Sequence, residues 1–319
     1  MIKLFCTLGP SSLNKNFLIN LDKKVVKLLR INLSHTKIED LPKIVSYIRK
    51  YTSINICFDT EGAQIRTSTL KNRSQSLIKN QRILINKENN NNKNITLLPI
   101  NIYKKLKKND LLSIDFNSAI VKIINIKGEN IECFVKVGGE IGSNKSVAIN
   151  RMIKLPPFTE KDKEAFKIAE DLNIRNIALS FTSHPDDVIK LKEYFNKDIN
   201  IIAKIESKNG LKNLTGILNV SNSILIDRGD LSKEIPIYQI PKKQKEIISI
   251  AKKYKTPVYV ATNLLESMVS QMEPTRAEVN DVYNTLKDGA TGLVLAAETA
   301  IGKYPEKCID MIVKVSKTL

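Results

Sequence analysis

The sequence predicts an α/β chain, a (β/α)8 TIM barrel with a small all-β barrel domain inserted after strand 3. Three observations predict it. Short apolar runs ending in polar or charged residues alternate with helix-periodic stretches, the pattern of parallel strands and their crossover helices. Three such runs precede residue 68 and five follow residue 154, eight in all. Between them the texture changes to short alternating runs punctuated by glycine, which reads as antiparallel hairpins. The expected division is 1–67 and 155–319 for the barrel and 68–154 for the insert. The residues outside the insert come to roughly the 250 typical of such a barrel.

Taken in order, Ile2 to Leu8 is a first strand closed by Gly9-Pro10-Ser11-Ser12, and Asn14 to Leu21 a helix. Val25 to Leu33 is a second strand with Arg30, Asn32, Ser34 and His35 at its end. Leu41, Ile44, Val45 and Ile48 recur at helical spacing within Ile38 to Tyr51. Ile54 to Asp59 is the third strand. The insert's runs are Arg82 to Ile85, Asp110 to Phe116, Ala119 to Ile126 and Ile131 to Val137. Lys87 to Asn94, K-E-N-N-N-N-K-N, reads as a solvated loop. After Leu155-Pro156-Pro157 the first pattern resumes, with Thr159 as N-cap of a helix running to Leu172, its first turn acidic. Strands follow at Ile177 to Phe181, Ile199 to Ile205, Ser223 to Ile226, Val258 to Ala261 and Gly292 to Ala296. Helices follow at Pro185 to Phe195, Lys208 to Asn219, Lys242 to Tyr254, Ala277 to Asp288 and Pro305 to Lys317. Because the insert leaves from the carboxyl end of strand 3, where barrels carry their active sites, a lid role is expected.

Composition narrows the function. The apolar fraction of 42% and charged fraction of 26% are ordinary for a soluble globular protein. No run of about 18 apolar residues is present, so no membrane association is expected. The opening residues are broken by Gly9-Pro10 too soon for a signal peptide. Four cysteines, Cys6, Cys57, Cys133 and Cys308, lack metal-ligand spacing and fit reduced thiols in a cytoplasmic protein. The net charge of +18 raises the question of nucleic acid. The lysines are spread along the chain, and the few aromatics are not interleaved with them, which argues against it. A positive field favours small anionic substrates instead.

In a barrel, polar residues just past each strand face one cavity. The stretch I-I-A-K-I-E at Ile201 and I-L-I-D-R-G-D-L at Ile224 ends two neighbouring strands in Lys204, Glu206 and Asp230. Two carboxylates suit a magnesium ion, and a lysine beside it suits a phosphoryl group in transfer; the alternative is a structural Lys–Glu pair. Other strand ends add Arg30, Asn32, Ser34, His35, Asp59, Thr60, Arg66, Gly229, Thr262, Glu298 and Thr299. Singly, each has an ordinary explanation: an arginine pairs with a nearby acid, Thr262 caps a helix, His35 sits at the surface or in the core. The set, at successive strand ends, is harder to explain that way. Gly229 lets backbone N–H groups approach an anion.

The motifs resemble the pyruvate kinase family. They are T-L-G-P-S-S at Thr7, R-I-N-L-S-H-T at Arg30, D-T-E-G-A-Q-I-R-T at Asp59 and L-P-P-F-T-E-K-D at Leu155. They continue as I-I-A-K-I-E at Ile201, D-R-G-D-L at Asp227, A-T-N-L-L-E-S-M at Ala261, E-P-T-R-A-E-V-N-D-V at Glu273 and A-A-E-T-A-I-G-K-Y-P at Ala296. The resemblance covers barrel and insert and implies phosphoryl transfer from phosphoenolpyruvate to ADP. It implies that Arg30 binds the phosphoryl group and Lys204 stabilises it in transfer. It implies a divalent ion, Mg2+ or Mn2+, on Glu206 and Asp230, and the substrate carboxylate on the backbone of Gly229 and Asp230. A potassium ion is implied at Asn32, Ser34, Asp59 and Thr60. The nucleotide is implied at Asn32, His35, Arg66 and Lys145, and Thr262 beside the substrate methylene carbon.

The departures carry expectations too. Glu61-Gly62-Ala63-Gln64 replaces the family's usual Lys-Gly-Pro-Glu, so Gln64 leaves potassium dependence open. Asp227 stands where a small residue is common, Ser232 where glycine is and Asn263 where glutamine is. The segment from Val147 to Lys154 lacks the usual Pro-Gly turn. The family's carboxy-terminal regulatory domain has no counterpart before Leu319, so no sugar-phosphate regulation is expected, and a homodimer through the barrel segment Pro274-Thr275-Arg276 is. The alternative function is a degenerate relative that binds nucleotide or a partner protein without catalysis.

Overall fold

Eight parallel strands close into a barrel among the described residues of the computed structural model, which are 2–62, 64–70, 72, 74–87, 95–115, 118–151, 153 and 155–319. The strands are β1 (Lys3–Thr7), β2 (Val26–Asn32), β3 (Asn55–Asp59), β4 (Asn176–Leu179), β5 (Asn200–Ile205), β6 (Ser223–Asp227), β7 (Val258–Ala261) and β8 (Gly292–Leu295). Each pairs with its neighbours in sequence, and β8 returns to β1 with Lys3 opposite Gly292. A Cβ on Gly292 would lie 2.0 Å from the carbonyl oxygen of Lys3, so the ring closes through a residue without one. The helices are α1 (Lys15–Asn20), α2 (Leu41–Tyr51), α3 (Glu160–Asp171), α4 (Pro185–Lys192), α5 (Lys208–Lys212), α6 (Leu214–Val220), α7 (Arg228–Glu234), α8 (Ile240–Lys253), α9 (Arg276–Lys287), α10 (Ala297–Ala300) and α11 (Pro305–Ser316).

Strand side chains alternate, and the two faces bury against different things. Leu29, Phe58, Ile177, Ile201, Ile224 and Val260 pack with the surrounding helices in one large apolar cluster. Phe5, Leu28, Cys57, Ala178, Ile202, Leu225, Tyr259, Ala261 and Val294 fill the barrel interior as a second cluster. Within it the Phe5 and Tyr259 rings lie 4.0 Å apart. That interior cluster is the apolar floor on which the site stands.

Several elements depart from expectation for local reasons. The strand expected to reach Phe181 ends at Leu179, because Phe181 turns to φ 53° and its N–H donates to Glu206 Oε2 at 2.6 Å. The helix expected from Lys208 to Asn219 breaks at Asn213, whose side-chain Nδ2 donates to the Ser183 carbonyl at 2.7 Å. Helix α7 begins at Arg228 directly after β6, within a stretch whose polarity and glycine hide it from periodicity. The expected cap of α3 forms as a reciprocal box: Thr159 Oγ1 accepts from Asp162 N, and Asp162 Oδ2 accepts from Thr159 N, each at 3.0 Å. Asp162 also accepts from the N–H groups of Glu61 and Gly62, which fixes the chain leaving β3.

The chain forms two compact units: Met1–Gly62 with Pro157–Leu319, and Ala63–Pro156. In the second unit, the described residues form a five-stranded antiparallel sheet ordered Val147–Ile149, Leu111–Ile114, Ala119–Lys127, Asn130–Val137, Arg82–Asn86. Two short ladders accompany it, Gly139–Gly142 with Ser74–Leu77 and Arg66–Thr67 with Leu97–Leu98. Its own core includes Ile85, Leu97, Leu112, Val121, Ile131 and Val135. Residues 88–94 of the expected loop, together with Ala63, Phe116, Met152 and Lys154, lie outside the described residues.

Candidate active site

On several strands a period of two places a polar residue at the next inward position after an interior apolar one. Arg30 is two past Leu28, Asp59 two past Cys57, Ser180 two past Ala178, Lys204 two past Ile202 and Asp227 two past Leu225. These five form a polar layer at the carboxyl end of the barrel, where such folds hold their chemistry. Lys204 is its centre. Its ammonium is 2.9 Å from Glu206 Oε1, 3.3 Å from Asp59 Oδ1 and 3.6 Å from Asp227 Oδ2, and it donates to Ser180 Oγ at 3.1 Å. Arg30 stands beside it, with Nε 3.0 Å from Asp59 Oδ2. That contact is an ion pair without the alignment of a hydrogen bond, and Arg30 Nη1 is buried with no hydrogen-bond partner among the described residues.

The electrostatics follow from this crowding. Burial favours the neutral amine of Lys204, but Asp59, Glu206 and Asp227 together outweigh it and hold its pKa above the ordinary lysine value. Glu206, fully buried, is raised above the usual carboxylate range by desolvation; Lys204 opposes this, and the Asp230 and Asp227 carboxylates add to it. Asp227 goes the other way: burial is outweighed by Lys204, the Thr262 hydroxyl, Arg30 and the Asp230 backbone N–H, and its pKa is lowered. Beneath the layer, burial pushes the Cys57 thiol up to about 12 with Asp59 adding to the rise, so it is packing and not a nucleophile. All four cysteines are buried and unpaired.

Glu206, Asp227 and Asp230 each offer a carboxylate oxygen, and these oxygens lie within 4.8 Å of one another. Hard oxygen donors at this separation fit a magnesium- or manganese-like cation. Glu206 Oε1 is buried, and its 2.9 Å contact with the Lys204 ammonium lacks the alignment of a hydrogen bond. Asp230 pairs with Lys233 at 2.5 Å at the edge of the site. Gly229 is packed so that a Cβ would lie 2.8 Å from Thr262 Cγ2.

The remaining expected residues divide. Asp59 is held by Arg30, Lys204 and the Ser180 hydroxyl at 3.2 Å. Thr60 Oγ1 accepts from Ser180 N at 2.9 Å, and Asn32 Oδ1 accepts from Ser34 N at 2.9 Å. His35 is exposed, its backbone N–H donating to the Asn32 carbonyl at 3.1 Å. Arg66 and Lys145 belong to the second unit, where Arg66 Nη1 donates to the Asn144 carbonyl and Lys145 Nζ is 3.3 Å from Asp115. Glu298 serves the backbone, accepting from Leu265 N and Ala296 N, and Thr299 donates to the Thr7 carbonyl. Sequence reasoning passed over Ser180, which bonds Asp59, Thr60 and Lys204, and did not place Asp227 in the site. Each lies two residues past an apolar strand residue, but only the closed ring fixes which of the two strand faces points inward.

The motifs and the geometry agree with comparison to known proteins. A family model described as pyruvate kinase, barrel domain, matches residues 1–309. A pyruvate kinase of Thermotoga maritima is 36% identical over 331 residues, covering 99% of this chain and 70% of that protein. Pyruvate kinases of Thermococcus litoralis and Methanocaldococcus jannaschii are 31% and 34% identical, each over 99% of this chain and over 69% and 68% of their own lengths. With the motifs in order, the barrel closed and the match running almost end to end, the chain belongs to the pyruvate kinase family.

Proposed function

We propose that the chain moves the phosphoryl group of phosphoenolpyruvate to ADP, giving pyruvate and ATP. The observation that carries this reading is the charged Lys204 ammonium, fixed among three carboxylates beside an arginine with a buried, uncommitted Nη1. In transfer, the bond from phosphorus to the enol oxygen breaks and one to a terminal phosphate oxygen of ADP forms. The enolate then takes a proton at its methylene carbon. The phosphoryl group carries spread negative charge throughout, so catalysis rests on placed positive groups. Arg30 binds the phosphoryl oxygens through its free donors. Lys204 neutralises charge as the group moves. The backbone at Gly229 and Asp230 receives the substrate carboxylate, and Thr262 lies by the methylene carbon.

Glu206 and Asp230 would hold a divalent ion, Mg2+ or Mn2+, which supplies further neutralisation of phosphate and carboxylate charge when bound. Asn32, Ser34, Asp59 and Thr60 would provide oxygens for a potassium ion. Asn32 and His35 would meet the nucleotide from the first unit. The non-catalytic alternative draws no support, since Arg30, Lys204, Glu206 and Asp230 are all present. Pyruvate formation from phosphoenolpyruvate and ADP with Mg2+, assayed in potassium and then in sodium, tests the reading. Turnover in either salt is the expected result, and the ratio reports what Gln64 does to monovalent-ion dependence. Absence of turnover in both, from folded protein, overturns it.

A further inference from the structure

Asp227, so far a neighbour of Lys204 and of the candidate cation position, also grips a site residue with an unusual backbone. Its Oδ1 accepts the Thr262 hydroxyl at 2.6 Å, and its Oδ2 is 3.6 Å from the Lys204 ammonium. Thr262 has φ 77°. A β-branched side chain in that left-handed region is an outlier that persists only where the surroundings over-determine it. They do so here from three sides. Asp227 takes the hydroxyl. Arg228 Nε and Nη2 donate to the Thr262 carbonyl at 3.0 and 2.6 Å, while Asp281 holds Arg228 Nη1 at 2.6 Å. Gly229 walls the methyl group, since a Cβ there would sit 2.8 Å from Thr262 Cγ2. Three consecutive residues at the junction of β6 and α7 thus hold one residue just past β7.

A threonine hydroxyl has one proton and two lone pairs. With the proton given to Asp227, the oxygen can face the cavity only as an acceptor.

We propose that Asp227 is a positioning residue for the proton-transfer half of the reaction: by taking the Thr262 hydroxyl proton, it makes Thr262 the acceptor that holds a water molecule at the methylene carbon. That water gives its proton to the enolate carbon, whose electron pair forms the new C–H bond, and the hydroxide left behind is reprotonated from solvent. This inference rests on the phosphotransfer reading of the site. By reversibility, the same arrangement removes a methyl proton from pyruvate, so exchange of that proton reads this half apart from phosphoryl transfer.

The test follows methyl hydrogen–deuterium exchange of pyruvate by NMR in heavy water, with ATP and Mg2+, alongside pyruvate formation and Mn2+ binding. Asp227→Ala is expected to slow exchange by about tenfold or more, the scale of one charged hydrogen bond, with Mn2+ affinity held within about threefold. Asp227→Asn keeps an oxygen acceptor for Thr262 and is expected to restore exchange to within about threefold of the parent chain. Unchanged exchange in Asp227→Ala overturns the proposal. So does equal loss in both variants, or a larger fall in Mn2+ affinity, which would assign Asp227 to the ion. If Asp227→Ala does not fold, Asp227→Leu takes its place, since it also leaves the Thr262 hydroxyl without its acceptor: a loss of about tenfold or more supports the proposal, and unchanged exchange overturns it. A parent chain that neither forms nor exchanges pyruvate overturns the phosphotransfer reading itself, and this inference with it.

Discussion

A lysine at 5% exposure stays charged only where opposite charge exceeds the cost of its desolvation, and Lys204 meets three carboxylates. Glu206 is the counterpart, an acid that burial raises while Lys204 resists. A carboxyl whose folded pKa is raised favours the fold while protonated. Without a divalent ion, that contribution is present at acid pH and is lost as pH rises through the raised value. A cation must displace the proton, so Mn2+ binding is expected to release protons and to strengthen with rising pH; calorimetry in buffers of different ionisation enthalpy reads this, and a proton-neutral binding event contradicts it. Glu206→Gln keeps an acceptor for the Phe181 N–H but loses the charge, and is expected to weaken Mn2+ at least about tenfold. At this scale the sequence announced Lys204, Glu206 and Asp230 by their place after apolar runs. It did not announce Ser180 or Asp227, because which way a side chain points after a strand depends on a register that the ring of partners sets.

Among elements, the strands were legible because each is a short apolar run buried on both faces, with Ile202 and Leu225 inward and Ile201 and Ile224 outward. Helix ends were legible where a side chain caps them, as at Thr159, and illegible where a tertiary contact intervenes. Asn213 breaks its helix for a bond to Ser183, and Phe181 leaves its strand to serve Glu206. Thr159 is more than a cap, since its box with Asp162 also anchors the Glu61 and Gly62 backbone. Thr159→Ala is therefore expected to cost about 1 kcal/mol or somewhat more in thermal or denaturant unfolding, the upper part of the usual capping range. No measurable change contradicts that role.

For the whole molecule, closing the ring is what turns separate strand ends into one site: Arg30 comes from β2, Asp59 from β3, Lys204 from β5 and Asp227 from β6. The net charge of +18 acts at the same scale, and a positive field of this kind raises the encounter rate of anionic molecules. Its effect is screened over a Debye length of about 8 Å at physiological salt, so kcat/KM for ADP is expected to fall as inert salt is added at fixed potassium, and a flat profile contradicts steering. No helix among the described residues is long and apolar enough to cross a membrane. The eight-strand ring and the order of its motifs were readable from the sequence, whereas the pairing of Lys204 with Asp59, far apart along the chain, was not. The most direct measurement is pyruvate formation from phosphoenolpyruvate and ADP with Mg2+, comparing the parent chain with Lys204→Ala and checking the fold of both by circular dichroism. The expected result is turnover that falls on the order of a thousandfold when the ammonium is removed. Turnover that persists in Lys204→Ala would place the chemistry elsewhere.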